Sequence, residues 1–313
     1  MALYLVTGGA GFIGSHIVDE LLRRGESVRV IDNLSTGHAE NLAAVRQRID
    51  WHENDIRDLD VIRPWFEGVN YVIHLAAIPS VPRSIEDPLT SNAVNIDGTL
   101  NVLVAARDAS VKRVVFSASS AAYGDHPELP RVESQEPRPL SPYALAKLAG
   151  EYYCQIFTRV YGLETVALRY FNIFGPRQSP DSAYSGVLSL FIAAFQRGEI
   201  PAIYGDGEQS RDFTYVDNAV DATLRACTAA GPVGKVINVG TGERHTLNET
   251  ISLLNDIFGR QVTPRYGAPR AGDVNHSHAN IALARELLGY EPKIRFEEGL
   301  KKTVAWFRST LAA

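Results

Sequence analysis

The chain has 313 residues, 45% of them apolar, with 31 basic against 36 acidic residues and a formal net charge of −5. That much apolar mass supports a large buried core, and the length favours one large domain with a smaller appendage. The charge balance and the lack of a long basic run argue against nucleic acid and anionic membrane as partners. Only two cysteines occur, Cys154 and Cys227, which excludes a disulfide framework and offers no metal-type spacing.

In chain order, LYLVT at 3–7 reads as a first strand, with no basic leader pattern before it. Residues 12–24 follow with helical spacing. Further strands are expected at 27–32, 71–75, 113–117, 165–171 and 236–239, and further helices at 95–109 and 141–161. Most of the strand runs are continuously apolar, as in a parallel sheet buried on both faces. The alternation predicts an α/β protein built on a doubly wound parallel sheet. Past Gly175 the rhythm shortens, punctuated by Pro176, Pro180, Pro201 and the 205–207 turn. A dinucleotide-binding domain is therefore expected over 1–175, with returns near 213–242 and 284–313. A smaller, discontinuous substrate domain is expected from 176–212 and 243–283. The longest strongly apolar stretch, 187–195, is too short to span a bilayer, and a cytoplasmic protein is expected.

Two segments carry chemistry. Thr7-Gly8-Gly9-Ala10-Gly11-Phe12-Ile13-Gly14 lies between the first strand and the first helix. Glycines there permit a tight turn, close approach of backbone to a pyrophosphate, and close helix–strand packing. The helix start offers N–H groups to phosphate. Asp32 ends the second strand, 18 residues after Gly14, where a carboxylate bonds both ribose hydroxyls. Asp32-Asn33-Leu34-Ser35-Thr36 holds no base for a 2′-phosphate, so NAD is favoured over NADP. In the second segment, Tyr143 and Lys147 are four apart and share a helix face. A lysine beside a phenol favours phenolate, and with an oxidised nicotinamide it is expected to bring Tyr143 from ~10 towards neutrality. Ser117-Ala118-Ser119-Ser120 ends a central strand, at the sheet edge where ligands bind.

These motifs, together with Asp55-Ile56, His74-Leu75-Ala76-Ala77, Asn95 and Leu168-Arg169-Tyr170-Phe171-Asn172, resemble in their order the extended short-chain dehydrogenase/reductase family. The likeness is closest to the UDP-hexose 4-epimerases and covers essentially the whole chain. It implies Ser119, Tyr143 and Lys147 as the catalytic triad. It places Gly8, Gly11, Phe12, Ile13, Gly14, Asp32 and Asn33 at the cofactor, with Asp55 and Ile56 at the adenine. Leu75, Ala76, Ala77 and Asn95 would line its diphosphate and ribose, and Tyr170 would flank the nicotinamide. For the substrate it implies Ser80, Asn172 at a phosphate, Ala202 and Tyr204 at the uracil, and Arg211, Arg270 and Asp273 as diphosphate and ribose clamps. The implied reaction oxidises the sugar at C4 with NAD, turns the 4-keto sugar over, and returns the hydride to the other face.

Relatives of the same family that dehydrate or decarboxylate, and UDP-glucuronate 4-epimerase, are the alternatives. Dehydratases resemble one another in an Asp-Glu pair before the Tyr-Gly that follows the central strand. Here that segment is Ser119-Ser120-Ala121-Ala122-Tyr123-Gly124, which disfavours elimination. By resemblance, Ser277 stands where a bulky aromatic restricts relatives to unmodified hexoses. Activity on UDP-GlcNAc/UDP-GalNAc as well as UDP-Glc/UDP-Gal is therefore expected, although Pro79 stands where strict N-acetyl relatives tend to have glycine. His276 and His278 are read as loop histidines, His74 as orienting backbone, and no metal site is expected. Apolar residues on more than one face of 141–161, and in 95–109, predict a homodimer.

Overall fold

The structure, a computed structural model, describes residues 1–179, 186–269 and 274–311. Its first half builds strands β1 (Leu3–Thr7), β2 (Ser27–Asp32), β3 (Asp50–Glu53), β4 (Tyr71–His74), β5 (Arg113–Ser119) and β6 (Glu164–Tyr170). Interleaved are helices α1 (Phe12–Arg23), α2 (Leu59–Ile62), α3 (Val81–Glu86), α4 (Pro88–Asn92), α5 (Gly98–Asp108) and α6 (Pro142–Tyr161). The second half contributes β7 (Ile173–Phe174), α7 (Val187–Arg197), β8 (Ala202–Tyr204), β9 (Ser210–Arg211), β10 (Thr214–Tyr215), α8 (Val216–Thr228) and β11 (Lys235–Val239). It closes with β12 (His245–Thr246), α9 (Leu247–Phe258), β13 (Arg265–Gly267), α10 (Ala282–Leu288) and α11 (Phe296–Leu311).

The seven-stranded sheet has the order β11-β6-β5-β4-β1-β2-β3 and all its pairs are parallel. Strand order reverses between β1 and β4, which opens a crevice at their carboxyl ends. Both faces are covered, as the continuous apolar runs require. Val6, Ile73, Val115 and Leu168 join one buried cluster with α1 and α8. Their neighbours Leu5, Val72, Val114 and Ala167 join another with α5 and α6. Among the described residues, no helix is long and apolar enough to cross a membrane.

Element ends follow local chemistry. Ser141 caps α6 by accepting from the Ala144 N–H, Pro142 occupies its first turn, and Gly162 closes it at φ +72°. A reciprocal Thr246–Glu249 capping box starts α9. Three differences from the sequence reading stand out. β3, DWHE, is an edge strand with no apolar run to announce it. The helix expected over 95–109 begins as a π-helical turn, Ala93–Asp97, before α5. β5 runs on to Ser119, past the 113–117 expected.

Outside the large sheet lie small pairs. β8 pairs with β13 in parallel and β9 with β12 antiparallel, while β7 pairs with β10 beside α8. The first two pairs join residues far apart in sequence, so the second half is held by non-local contacts.

Candidate active site

At the crevice, the turn after β1 is shaped by close packing. Gly8 has φ +72°, and a Cβ there would lie 2.7 Å from the Ala76 backbone nitrogen. A Cβ on Gly14 would sit 2.1 Å from the Gly8 carbonyl oxygen, so α1 reaches the turn only because that position lacks a side chain. Gly11 caps α1 in extended conformation without a side-chain cap, leaving the first-turn N–H groups at Phe12 and Ile13 directed to the crevice. Asp32 is 7% exposed. Its two oxygens accept from Ala10 N–H at 2.9 Å and Leu34 N–H at 2.8 Å. Burial raises its carboxyl above the usual range, opposed by those two bonds. This backbone cradle with a carboxylate at its far end fits a dinucleotide whose adenosine ribose is unphosphorylated.

Asn33 donates to Asp55 at 2.8 Å, so two residues expected at the cofactor meet. Hydrogen bonds from Arg57 hold the Asp55 carboxyl down at about 2. The Ile56 side chain is buried against Gly98, and Asn101 donates to its carbonyl at 3.0 Å. Asn95 is 2% exposed, its Oδ1 accepts from Ile78 N–H at 2.8 Å, and its Nδ2 donates to Ile78 O at 3.2 Å. These bonds hold in place the loop containing Leu75, Ala76 and Ala77. His74 is also structural. Thr99 donates to Asn95 O, so it accepts from His74 Nε2, and His74 Nδ1 accepts from Thr7. Burial first, then Lys147, pushes this imidazole down to about 3, keeping it neutral.

β5 delivers Ser119 and α6 delivers Tyr143 and Lys147 to one place. Ser119 stands beside the Tyr143 phenol and favours its charged form, and Ser119 Oγ accepts from Ala121 N–H at 3.2 Å. The Tyr143 N–H, unpaired within its helix, donates to buried Ser84 Oγ at 3.1 Å. Gly150 lets α6 close onto β5, since a Cβ there would lie 2.4 Å from the Phe116 ring. Lys147, 3% exposed, is thereby drawn over that ring and donates to Ser117 O at 2.7 Å. Burial pushes its ammonium down to about 8. In the chain by itself, burial raises the phenol above its ordinary value, and only Ser119 opposes this. The physical reason is that the ammonium is aimed at the Ser117 carbonyl, so a depressed phenol needs positive charge beyond the chain's own. Tyr170 is 7% exposed, with its hydroxyl 2.6 Å from Thr223 on α8.

The second half encloses a cavity of about 490 Å³, lined among others by Asn172, Val187, Phe191, Ala202, Tyr204 and Arg211. Four of these were expected at the substrate; Val187 and Phe191 on α7 were missed, because an apolar helix face reads as core. Asn172, at φ +37°, donates to Asp212 O and to Ser277 Oγ, both at 3.1 Å. Arg211 donates to Asn275 O at 3.0 Å. Ser80 is 8% exposed and caps α3. Arg270 and Asp273 lie outside the described residues.

The organiser of this half, also missed, is fully buried Asp212. Its carboxylate accepts from the Thr241 N–H and hydroxyl at 2.8 and 2.7 Å, from Gly242 N–H at 3.0 Å and from Ala279 N–H at 3.1 Å. Hydrogen bonds to a charged group contribute about 1.5–3 kcal/mol each, enough for four to offset a burial penalty of several kcal/mol. His276 and His278 are tied to Ser210 and to Gly242 O. Among the described residues, no three His, Cys, Asp or Glu side chains group as metal ligands do.

Residues 4–240 match the NAD dependent epimerase/dehydratase family. The chain belongs to that family. As a member it is similar to the UDP-glucose 4-epimerase of Thermotoga maritima, solved with UDP-glucose: 42% identity, TM-score 0.94, 99% of each chain covered. It is similar to the UDP-N-acetylglucosamine 4-epimerase of Methanobrevibacter ruminantium, solved with UDP-N-acetylmuramic acid, at 42% identity and TM-score 0.95 over 99% of each chain. A third likeness is the Thermus thermophilus UDP-glucose 4-epimerase in complex with NAD: 38% identity, TM-score 0.88, 98% of this chain and 99% of that one.

Proposed function

We infer that the protein is an NAD-dependent UDP-hexose 4-epimerase. The meeting of Ser119, Tyr143 and Lys147 at the crevice that Gly8, Gly14 and Asp32 define is the observation that carries this reading. NAD is the cofactor; when bound it takes hydride from the sugar C4 and later returns it, and its positive ring adds the charge that favours a Tyr143 phenolate. Tyr143 takes the proton of the 4-hydroxyl and gives it back after the keto sugar has turned. Ser119, beside the phenol, shares that proton, and Lys147 holds positive charge close by. The 490 Å³ cavity takes the nucleotide, with Ala202 and Tyr204 at the base and Arg211, Arg270 and Asp273 at the diphosphate and ribose. We assign the cofactor domain to 1–175 with its returns at 213–242 and 284–313, and the sugar-nucleotide domain to 176–212 and 243–283.

Ser277 supports activity on UDP-GlcNAc and UDP-GalNAc as well as on UDP-Glc and UDP-Gal, since a small residue beside Asn172 leaves room for an acetamido group. A homodimer is supported by α6: Leu148 and Phe157 are buried, whereas Leu145, Tyr152, Ile156 and Val160 are 47–64% exposed, a stripe that a symmetry mate would cover. A cytoplasmic location is in keeping with two buried, free thiols. The test is to incubate purified protein separately with UDP-Glc, UDP-GlcNAc and UDP-GlcA and to identify products by NMR. UDP-Gal and UDP-GalNAc are expected without added NADH; a product lacking water or CO₂, or C4 inversion of UDP-GlcA alone, would overturn the reading.

A further inference from the structure

Behind the phenol and the ammonium, α6 carries a third residue on the same stripe. Tyr143, Lys147 and Glu151 follow one another at intervals of four, which stacks them along one helix face. Glu151 is 2% exposed and is gripped by Arg169 of β6 at 2.8 and 2.7 Å, both side chains lying inside the protein. Arg169 is 3% exposed and stands 4.5 Å over the Tyr123 ring. Neither residue reaches the cofactor crevice through a cap or a turn, and neither has a place in the proton path described above. A buried ion pair is no general aid to stability, so its position two turns below the phenol calls for another explanation.

Lys147 is a charge in a nearly dry setting. From β4 it faces His74, held neutral by the Thr7 and Thr99 hydroxyls. β5 presents the Phe116 ring and the Ser117 carbonyl. Its own helix presents the neutral phenol on one side and Glu151 on the other. From β6 comes Arg169, and beyond it Tyr123, bonded to Asn238, and Glu133, which accepts from the Asn238 N–H. Among the described residues, the one full negative charge acting on the ammonium is that of Glu151, and it opposes the loss of the proton that burial favours. Burial also drives Glu151 towards its neutral form, and Arg169 opposes this with two hydrogen bonds.

We propose that Glu151 is a positioning residue for the epimerase reaction: clamped as a carboxylate by Arg169, it keeps the Lys147 ammonium protonated at working pH, the form in which Lys147 holds positive charge one helical turn from Tyr143. The proposal rests on the catalytic reading of Tyr143 and Lys147. Its consequence concerns pH. Turnover needs Lys147 charged, so it falls on the alkaline side as Lys147 loses its proton. Removing the Glu151 charge lowers the pH at which this happens.

The test measures kcat of the NAD-loaded enzyme from pH 6 to 10 with UDP-Glc for wild type, Glu151→Gln, and the double variant Glu151→Gln/Arg169→Gln, which leaves no orphaned guanidinium. Both variants are expected to show the alkaline limb moved at least one pH unit towards acid, with KM and bound NAD near wild type. Between pH 7 and pH 9 the ratio of variant to wild-type kcat should then fall at least about fivefold. If Glu151→Gln does not fold, the double variant decides alone. An unmoved limb in the double variant, with kcat lowered equally at every pH, overturns the proposal. Lys147→Ala separates the two readings. If it keeps wild-type turnover, the catalytic assignment fails. If it is inactive while the Glu151 variants hold their limb, only the role of Glu151 fails.

Discussion

The cofactor crevice and the nucleotide cavity are built by opposite means. Around β1 and β4 the walls are backbone: a positive-φ turn at Gly8, a helix start brought close by Gly14, and a loop pinned by Asn95. Around the 490 Å³ cavity the walls are side chains from β7, α7, β8 and β9, tied together by Asp212 and Asn172. A site made of backbone tolerates few changes and recognises the part common to every turnover. A site made of side chains from scattered segments can be retuned at single positions.

Tyr143 stands on the seam between the two, and its replacement should spare both. Tyr143→Phe is expected to lose at least ~100-fold in turnover, the scale of a lost general acid–base group, with bound NAD and UDP affinity retained. Near-wild-type kcat, followed by coupled assay, would place the chemistry elsewhere. Ser277→Tyr probes the retunable side. It fills the space beside Asn172 and removes the Asn172–Ser277 bond, so product from UDP-GlcNAc should fall at least ~10-fold, the size of a pocket steric effect, while UDP-Glc turnover stays within a few-fold. Equal losses on both sugars would mean that position 277 supports the fold of this side and does not select the substituent. The smallest effect belongs to the backbone side. Gly8→Ala places a Cβ against the Ala76 backbone at φ +72°, which costs about 1–2 kcal/mol. Denaturant unfolding of the apoprotein should show that loss, and bound NAD should drop with it. An unchanged midpoint and full NAD content would show that the turn relaxes, and that the crevice is less rigid than its packing implies.

What the sequence alone determined about this protein is whatever depends on local pattern. The glycine turn, Asp32 at the end of β2, and the Tyr143–Lys147 spacing are legible because each needs only a strand, a turn or a helix face to acquire meaning. The parallel sheet was equally legible, since burial on both faces requires near-continuous apolar runs such as 3–7. Tertiary structure decided the rest. Asp212 and Glu151 look like ordinary acids in their segments; only folding brings four donors to the first and Arg169 to the second. Only folding ties Asn95 to a loop 17 residues upstream. The direction of the Lys147 ammonium towards Ser117 O follows from how closely Gly150 lets α6 lie on Phe116. Burial and partner geometry set the charge state of a side chain, and both are properties of the packed molecule, not of the neighbours in the chain.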